Sequence, residues 1–392
     1  MSLKLAIIGA NGFIGSRAVE LLHLEGLAEV RPIVRSINSL ARLSRFDLDC
    51  RVADARDQAA LRTALEGCDA VVHAVAGDPA TILGSLTPMY QAAQQAGVKR
   101  FIYLSSASVH GQAPAPGTDE STPLNDRQPI VYNNAKVWAE RRLWSLRKSG
   151  GVELVILRPG IVVGPRSWWI SSFASSLLAA EAYLVNQGQG ICNSIYVDNL
   201  VQAIYLAART PQADGQAFLV GDAETISWAD LYTPIADALG FDLNEVPNLE
   251  YVKPPRLNLN SLIRNVRTSH RARHLRKIVP KTLRRAIRAA LTREAPPLSP
   301  WADSERTRTR PTASLQATLE MALLYRCPYK LPHVKAQQVL GYEPIVSFAE
   351  ASRRTLGWLE FSGYPVRQPW HFSSNEVDRP RAPLTCAGQP VP

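Results

Sequence analysis

The chain has 392 residues, 46% of them hydrophobic, with 44 Lys/Arg against 34 Asp/Glu for a formal charge of +10. That length predicts one large domain with insertions or two domains, and the composition is that of a globular protein with a sizeable core. Five scattered cysteines (Cys50, Cys68, Cys192, Cys327, Cys386), with no CxxC pair and no Cys/His cluster, exclude a disulfide scaffold and a structural zinc site, and no metal is expected.

The amino terminus has a single Lys before "LAIIGA" and then turns glycine-rich, which is too short a lead for a signal peptide. No uninterrupted apolar run approaches the roughly 18–20 residues of a membrane-spanning helix, so a soluble, cytoplasmic protein is expected. The charge is local: residues 251–310 hold 16 Lys/Arg and 3 Asp/Glu. Basicity therefore belongs to one segment and not to the fold.

Along the first 160 residues, short β-branched runs alternate with helical stretches. The predicted strands are 5–9, 29–34, 69–75, 100–106 and 152–159, with helices beginning at "FIGSRAVELLHLEG" and "PMYQAAQQAGV". Apolar strands alternating with helices predict a doubly wound parallel sheet of the Rossmann type. The pattern becomes irregular after residue 160, as a smaller C-terminal substrate-binding lobe would. The expected organisation is a dinucleotide-binding core at 1–160 and a lobe at 161–364, interleaved with the core and carrying a basic insertion at 251–325. The polar, Pro-rich end at 365–392 reads as a disordered tail.

The first strand runs into "GANGFIG", which places Gly9, Gly12 and Gly15 between a strand and a helix. One glycine makes the turn, one lets the backbone approach a pyrophosphate, and one allows close helix–strand packing. The alternative is a plain structural turn. At the end of the second strand, where an acidic residue would select NAD, the chain has Arg35, with Ser36 beside it and Arg17 in the first helix; this favours NADP. Asp54, in "RVADARD", is placed to meet an adenine edge or else to cap the next helix.

Downstream, "VYNNAK" spaces Tyr132 and Lys136 four residues apart, on one face of a helix. A nearby ammonium favours phenolate, so Lys136 is expected to lower the Tyr132 pKa and fit it for proton exchange. Ser106, at the end of "YLSS", could hold a substrate oxygen. Trp168 and Trp169, at the start of the lobe, read equally as a ring-stacking substrate wall or as core.

These motifs together resemble the extended short-chain dehydrogenase/reductases, a family that includes nucleotide-sugar epimerases and dehydratases and 3β-hydroxysteroid dehydrogenase-like enzymes. The matching stretches are "GANGFIG", "DAVVHAVAG", "VKRFIYLSSASVHG", Tyr132-x-x-x-Lys136, "ILRPGIVVGP", "NSIYVDNLVQAIYLAA" and "AQQVLGYEPIVSFAEASRRTLGWL", in that order. The resemblance implies Tyr132 as acid/base, Lys136 on the nicotinamide ribose and Ser106 orienting the reacting oxygen. It extends cofactor contacts to Asn11, Phe13, Ile14, Ala74 and Pro159. A homodimer is expected at family level only.

Two departures bear on the substrate. Arg158-Pro159-Gly160 lacks the asparagine common in sugar-nucleotide members, and His110-Gly111 replaces a frequent Tyr-Gly, making His110 a candidate substrate contact or a plain loop residue. The leading expectation is an NAD(P)-dependent oxidoreductase acting on a secondary alcohol or ketone. A nucleotide-sugar epimerase or dehydratase with retained cofactor is the alternative, and a non-catalytic dinucleotide sensor a remote one. Residues 267–293 hold a basic amphipathic helix after Pro280, suited to an anionic membrane surface or a polyphosphate. No aromatic stacking platform accompanies it, so specific nucleic-acid binding is not expected.

Overall fold

The computed structural model describes residues 2–251 and 315–367. By its internal contacts the chain divides into one unit made of Met1–Tyr251 with Ala317–Pro392 and another made of Val252–Gln316. The basic helix expected at 267–293 and residues 368–392 lie outside the described residues. The insertion is thus shorter than expected at its far end, because residues 319–324 fold back as a helix of the first unit.

The first unit opens with strand β1 (Lys4–Ile8), helix α1 (Phe13–Leu24), β2 (Glu29–Val34), the short β3 (Arg51–Val52) and α2 (Gln58–Leu65). Then follow β4 (Ala70–His73), α3 (Pro79–Gln95), β5 (Arg100–Leu104), α4 (Val131–Ser149) and β6 (Glu153–Pro159). Helix α3 begins nine residues before the expected start. Asp78 caps it by accepting from the amides of Ala80 and Thr81, Pro79 occupies its first turn, and Pro88 sits inside it.

The lobe interleaves small strands with helices: β7 (Ile161–Val163), α5 (Trp168–Leu178), β8 (Ile191–Cys192), β9 (Ser194–Tyr196), α6 (Val197–Arg209), β10 (Gln216–Val220), β11 (Ile226–Ser227) and α7 (Trp228–Leu239). Helices α8 (Leu319–Leu324), α9 (Val334–Leu340) and α10 (Phe348–Phe361) complete the described chain. The main sheet has seven strands in the order β10-β6-β5-β4-β1-β2-β3, and every pairing is parallel. Because β10 closes this sheet beyond β6, the core does not end at residue 160.

Period-two alternation assigns the sheet's two faces. Leu5 and Ile7 pack with α1 and α6 through Leu22 and Ile204, whereas Ala6 and Ile8 pack with α2, α3 and α4 through Leu61, Met89 and Leu143. A separate lobe core gathers Phe173, Trp228, Tyr232, Tyr325 and Leu359. The sheet order turns at β1 and β4. Open parallel sheets bind ligands in the crevice beyond the carboxyl ends of the strands at such a point.

Candidate active site

The loop from β1 to α1 closes on that crevice. Gly9 adopts φ +87°, and a Cβ there would stand 2.7 Å from the Ala74 carbonyl oxygen at the end of β4. At Gly15 a Cβ would stand 2.3 Å from the Gly9 carbonyl oxygen, so only a glycine lets α1 lie this close to the loop. Gly12 is less constrained, at 3.2 Å from the same oxygen. It precedes α1 with no side-chain cap and no acidic residue in the first turn, which leaves amide donors for an anion. Replacing Gly15 by Ala is expected to lower stability by about 3 kcal/mol, the upper range for overpacking, and Gly12→Ala much less. Urea unfolding of the two variants checks the difference.

A cleft of about 440 Å³ runs over this loop. Gly9, Asn11, Gly12, Phe13, Ile14, Arg35, Asp54 and Ala74 line it, together with Ser39, Arg56, Thr81 and Ser85. Arg35 is exposed and has no hydrogen-bond or ion-pair partner among the described residues. Arg17 is not available to the cofactor as the sequence suggested: Asp198 takes its Nε and Nη2 at 2.6 and 2.7 Å, and Glu20 takes Nη1 at 2.8 Å. Asp54 binds Arg56 through its backbone amide at 2.9 Å and its Nε at 3.2 Å, and these contacts hold the carboxyl below its usual range. The helix cap falls instead to Asp57, which accepts from Ala59 and Ala60.

Two cations at the loop had no sequence signal beyond their basicity. Arg42 Nη1 donates to the Asn11 carbonyl at 3.1 Å, and Arg166 Nη1 donates to Ser16 Oγ at 2.8 Å. Arg166 holds φ +74°, a left-handed conformation that costs a non-glycine residue and is kept only where its surroundings require it.

Ser106 follows β5 and caps a short 3-10 turn, Ala107–His110, where its Oγ accepts from Ser108 N at 3.2 Å. Tyr132 and Lys136 stand one turn apart on α4. The Lys136 Nζ lies 5.8 Å from the Tyr132 ring and 4.9 Å from the Tyr103 ring. The expected lowering of the Tyr132 pKa is not found. Tyr132 keeps 37% of its surface accessible, yet protein packed round its phenol pushes the pKa up to about 12, with the Ser106 hydroxyl opposing the rise. Lys136 is buried, donates Nζ to the Leu104 carbonyl at 2.8 Å, and is pushed down to about 8 by that burial. Burial thus sets the direction of the phenol's shift, and the opposing effect comes from Ser106.

The tentative substrate residues divide. His110 Nε2 meets Arg158 Nη1 at 3.2 Å, and Arg158 can only donate, so Nε2 is an acceptor and the ring proton sits on Nδ1. Burial and the Arg158 charge lower its pKa to about 4, leaving the ring neutral. Trp169 packs on Trp228 at 5.5 Å between ring centroids and so belongs to the lobe's aromatic core, while Trp168 is 66% exposed. Packing, not substrate, accounts for Trp169. Pro159 ends β6, as expected.

Sequence reading also missed Glu140 and Glu320. Glu140, on α4, is fully buried and holds Arg158 through both oxygens at 3.0 and 2.7 Å, while Ser105 Oγ donates to it at 2.5 Å. Glu320, on α8, accepts from Gln112 Nε2 at 2.7 Å. Among the described residues no group of three or more His, Cys, Asp or Glu is placed to hold a metal ion, and no helix is long and apolar enough to cross a membrane.

Comparison with known proteins agrees with this geometry. The model of the NAD dependent epimerase/dehydratase family matches residues 5–221. The chain is 28% identical to UDP-glucose 4-epimerase of Vibrio cholerae, over 61% of this chain and 76% of that one. It is also 28% identical to a 3 beta-hydroxysteroid dehydrogenase/Delta 5-->4-isomerase of Mycobacterium tuberculosis, over 60% and 70%. A solved dTDP-glucose 4,6-dehydratase of Streptomyces venezuelae, with NAD bound, superposes with a TM-score of 0.65 at 20% identity, covering 92% of this chain and 97% of its own. At that identity the superposition establishes the fold.

Proposed function

The chain belongs to the NAD dependent epimerase/dehydratase family, and from that premise we propose that it is a nicotinamide-dependent oxidoreductase acting at a secondary alcohol or ketone carbon. The observation that carries this reading is Tyr132 one helical turn from Lys136 on α4, with the Lys136 Nζ 5.8 Å from the phenol ring and Ser106 at the turn that follows β5.

The cleft fits a dinucleotide. Side chains at Gly9 and Gly15 would fill the cradle, and the open first turn of α1 suits a pyrophosphate. Asn11, Gly12, Phe13 and Ile14 would hold the phosphates, Arg35 and Asp54 the adenosine end, and Ala74, Pro159 and Lys136 the nicotinamide end. When bound, the nicotinamide supplies the hydride acceptor or donor.

The chain's own residues do the rest. Ser106 hydrogen-bonds the reacting oxygen. Tyr132, protonated across the neutral range, gives its proton to that oxygen in the reductive direction and takes it back in the oxidative one. Lys136, charged below about pH 8, stabilises the phenolate that forms as the proton leaves.

Arg35, on the cleft wall with no hydrogen bond or ion pair among the described residues, favours NADP over NAD. A charged hydrogen bond contributes about 1.5–3 kcal/mol. The Arg35→Asp variant should therefore lose about ten- to a hundredfold in NADP affinity and little in NAD affinity, as calorimetric titration with both dinucleotides would register.

Epimerisation is the second reading, favoured by the likeness to UDP-glucose 4-epimerase. The spectrum of the purified protein separates the two. Retained nicotinamide with no net NADPH consumption supports an epimerase, and free exchange with consumption of NADPH in the presence of ketones supports a reductase. A protein that binds neither dinucleotide would overturn both.

A further inference from the structure

Helix α8 returns the chain to the site directly after the unit at 252–316, and it brings a carboxylate with it. Thr318 caps the helix by accepting from Met321 N, Ala322 and Leu324 turn into the lobe, and Glu320 is left half-buried on another side of the turn. Gln112, six residues after Ser106, donates Nε2 to Glu320 Oε1 at 2.7 Å across 208 residues of sequence. Glu320 Oε2 has no hydrogen-bond partner among the described residues, and no Lys or Arg pairs with this carboxylate.

A half-buried carboxylate without a cation is costly unless something donates to it. Three buried acids of the protein are paired more fully: Glu140 by Arg158, Asp198 by Arg17 and Arg354, and Asp222 by Ser194, Asn199 and the Tyr196 amide. Glu320 has one amide. It also lies within electrostatic reach of Tyr132, whose phenol its charge pushes further up. Burial raises the Glu320 carboxyl as well, opposed by the Gln112 bond. Glu320 is thus tied by Gln112 to the segment that follows Ser106, with its second oxygen unpaired among the described residues.

We propose that Glu320, oriented by Gln112, is a substrate-binding residue that accepts a hydrogen bond from a hydroxyl carried near the reacting carbon, so that the enzyme selects hydroxylated carbonyl compounds over apolar ketones of the same size. This rests on the hydride-transfer reading of the same site. A site built to pair with a substrate hydroxyl rejects the analogue that lacks it, because its own polar group is then left unpaired.

The test compares 2-hydroxycyclohexanone with 2-methylcyclohexanone, which differ by a hydroxyl in place of a methyl. Two readouts are taken with the full-length protein: NADPH consumption, and calorimetric binding of the matching alcohols to protein saturated with NADP. The wild type should favour the hydroxylated partner by about tenfold or more, the range for a hydrogen bond to a charged group. Glu320→Gln, nearly isosteric, should abolish the preference chiefly through KM, with NADP affinity unchanged. Gln112→Ala should weaken it less.

Equal treatment of the pair by the wild type, or a preference that survives in Glu320→Gln, overturns the assignment while leaving hydride transfer standing. Binding of neither ring compound to the NADP-loaded protein overturns it too. Failure of the protein to bind NADP at all overturns the parent reading.

Discussion

Tyr132→Phe is expected to lower the rate of carbonyl reduction by about a thousandfold while leaving NADP binding unchanged. The substitution keeps the ring and removes only the proton. A positioned general acid is worth roughly 10²–10⁴ in rate. The two pKa values give a pH signature. Tyr132 stays protonated well above neutrality, so loss of the acid does not limit the reaction there. Lys136 gives up its charge as pH rises through about 8, and the phenolate formed on proton donation then loses its nearest cation. Reduction should therefore slow as pH rises through that value. A rate that keeps rising through pH 8, or substantial turnover by the Phe variant, would remove Tyr132 and Lys136 from these roles.

The largest effect on stability is expected at Glu140. Its carboxylate is fully buried, and its partner Arg158 is 5% exposed at the side chain. Together they join α4 to β6, and through Ser105 and His110 they hold the turn that presents Ser106. Removing one partner leaves a buried charge unpaired, which costs about 3–5 kcal/mol. That is a large share of a typical stability of about 5–15 kcal/mol. Glu140→Ala should lose that much in chemical unfolding. The double variant Glu140→Leu/Arg158→Met should recover much of it, because apolar packing replaces a buried ion pair at little net cost. A loss below about 1 kcal/mol in the single variant would mean that the pair is far better solvated than its burial implies.

Most of the dinucleotide half was legible in the chain. The run "EVRPIV" is both apolar and β-branched, and β2 occupies those residues, Glu29–Val34. The glycine spacing was readable because two of the three positions admit nothing larger. What escaped was set by partners distant in sequence. Arg17 looked free on its helix, but its guanidinium belongs to Asp198, 181 residues away. Trp169 read equally as substrate wall or core, and its packing against Trp228 is what decides for the core. Helical spacing placed Lys136 beside Tyr132 correctly, yet it could not report that burial would raise the phenol and turn the ammonium to the Leu104 carbonyl. Glu320 gave no signal at all, since its meaning depends on a bond to Gln112 that only the fold creates.

Hydride transfer can be tested directly by mixing the full-length protein with NADPH carrying deuterium on the nicotinamide C4, against keto-sugars, steroid-like ketones and acyl ketones, and following the label by mass spectrometry. The site as described predicts deuterium on the carbinol carbon of at least one product with wild-type protein, and transfer about a thousandfold slower with Tyr132→Phe. NADPH bound in the cleft with no label transferred to any carbonyl, or equal transfer by the Phe variant, would contradict it.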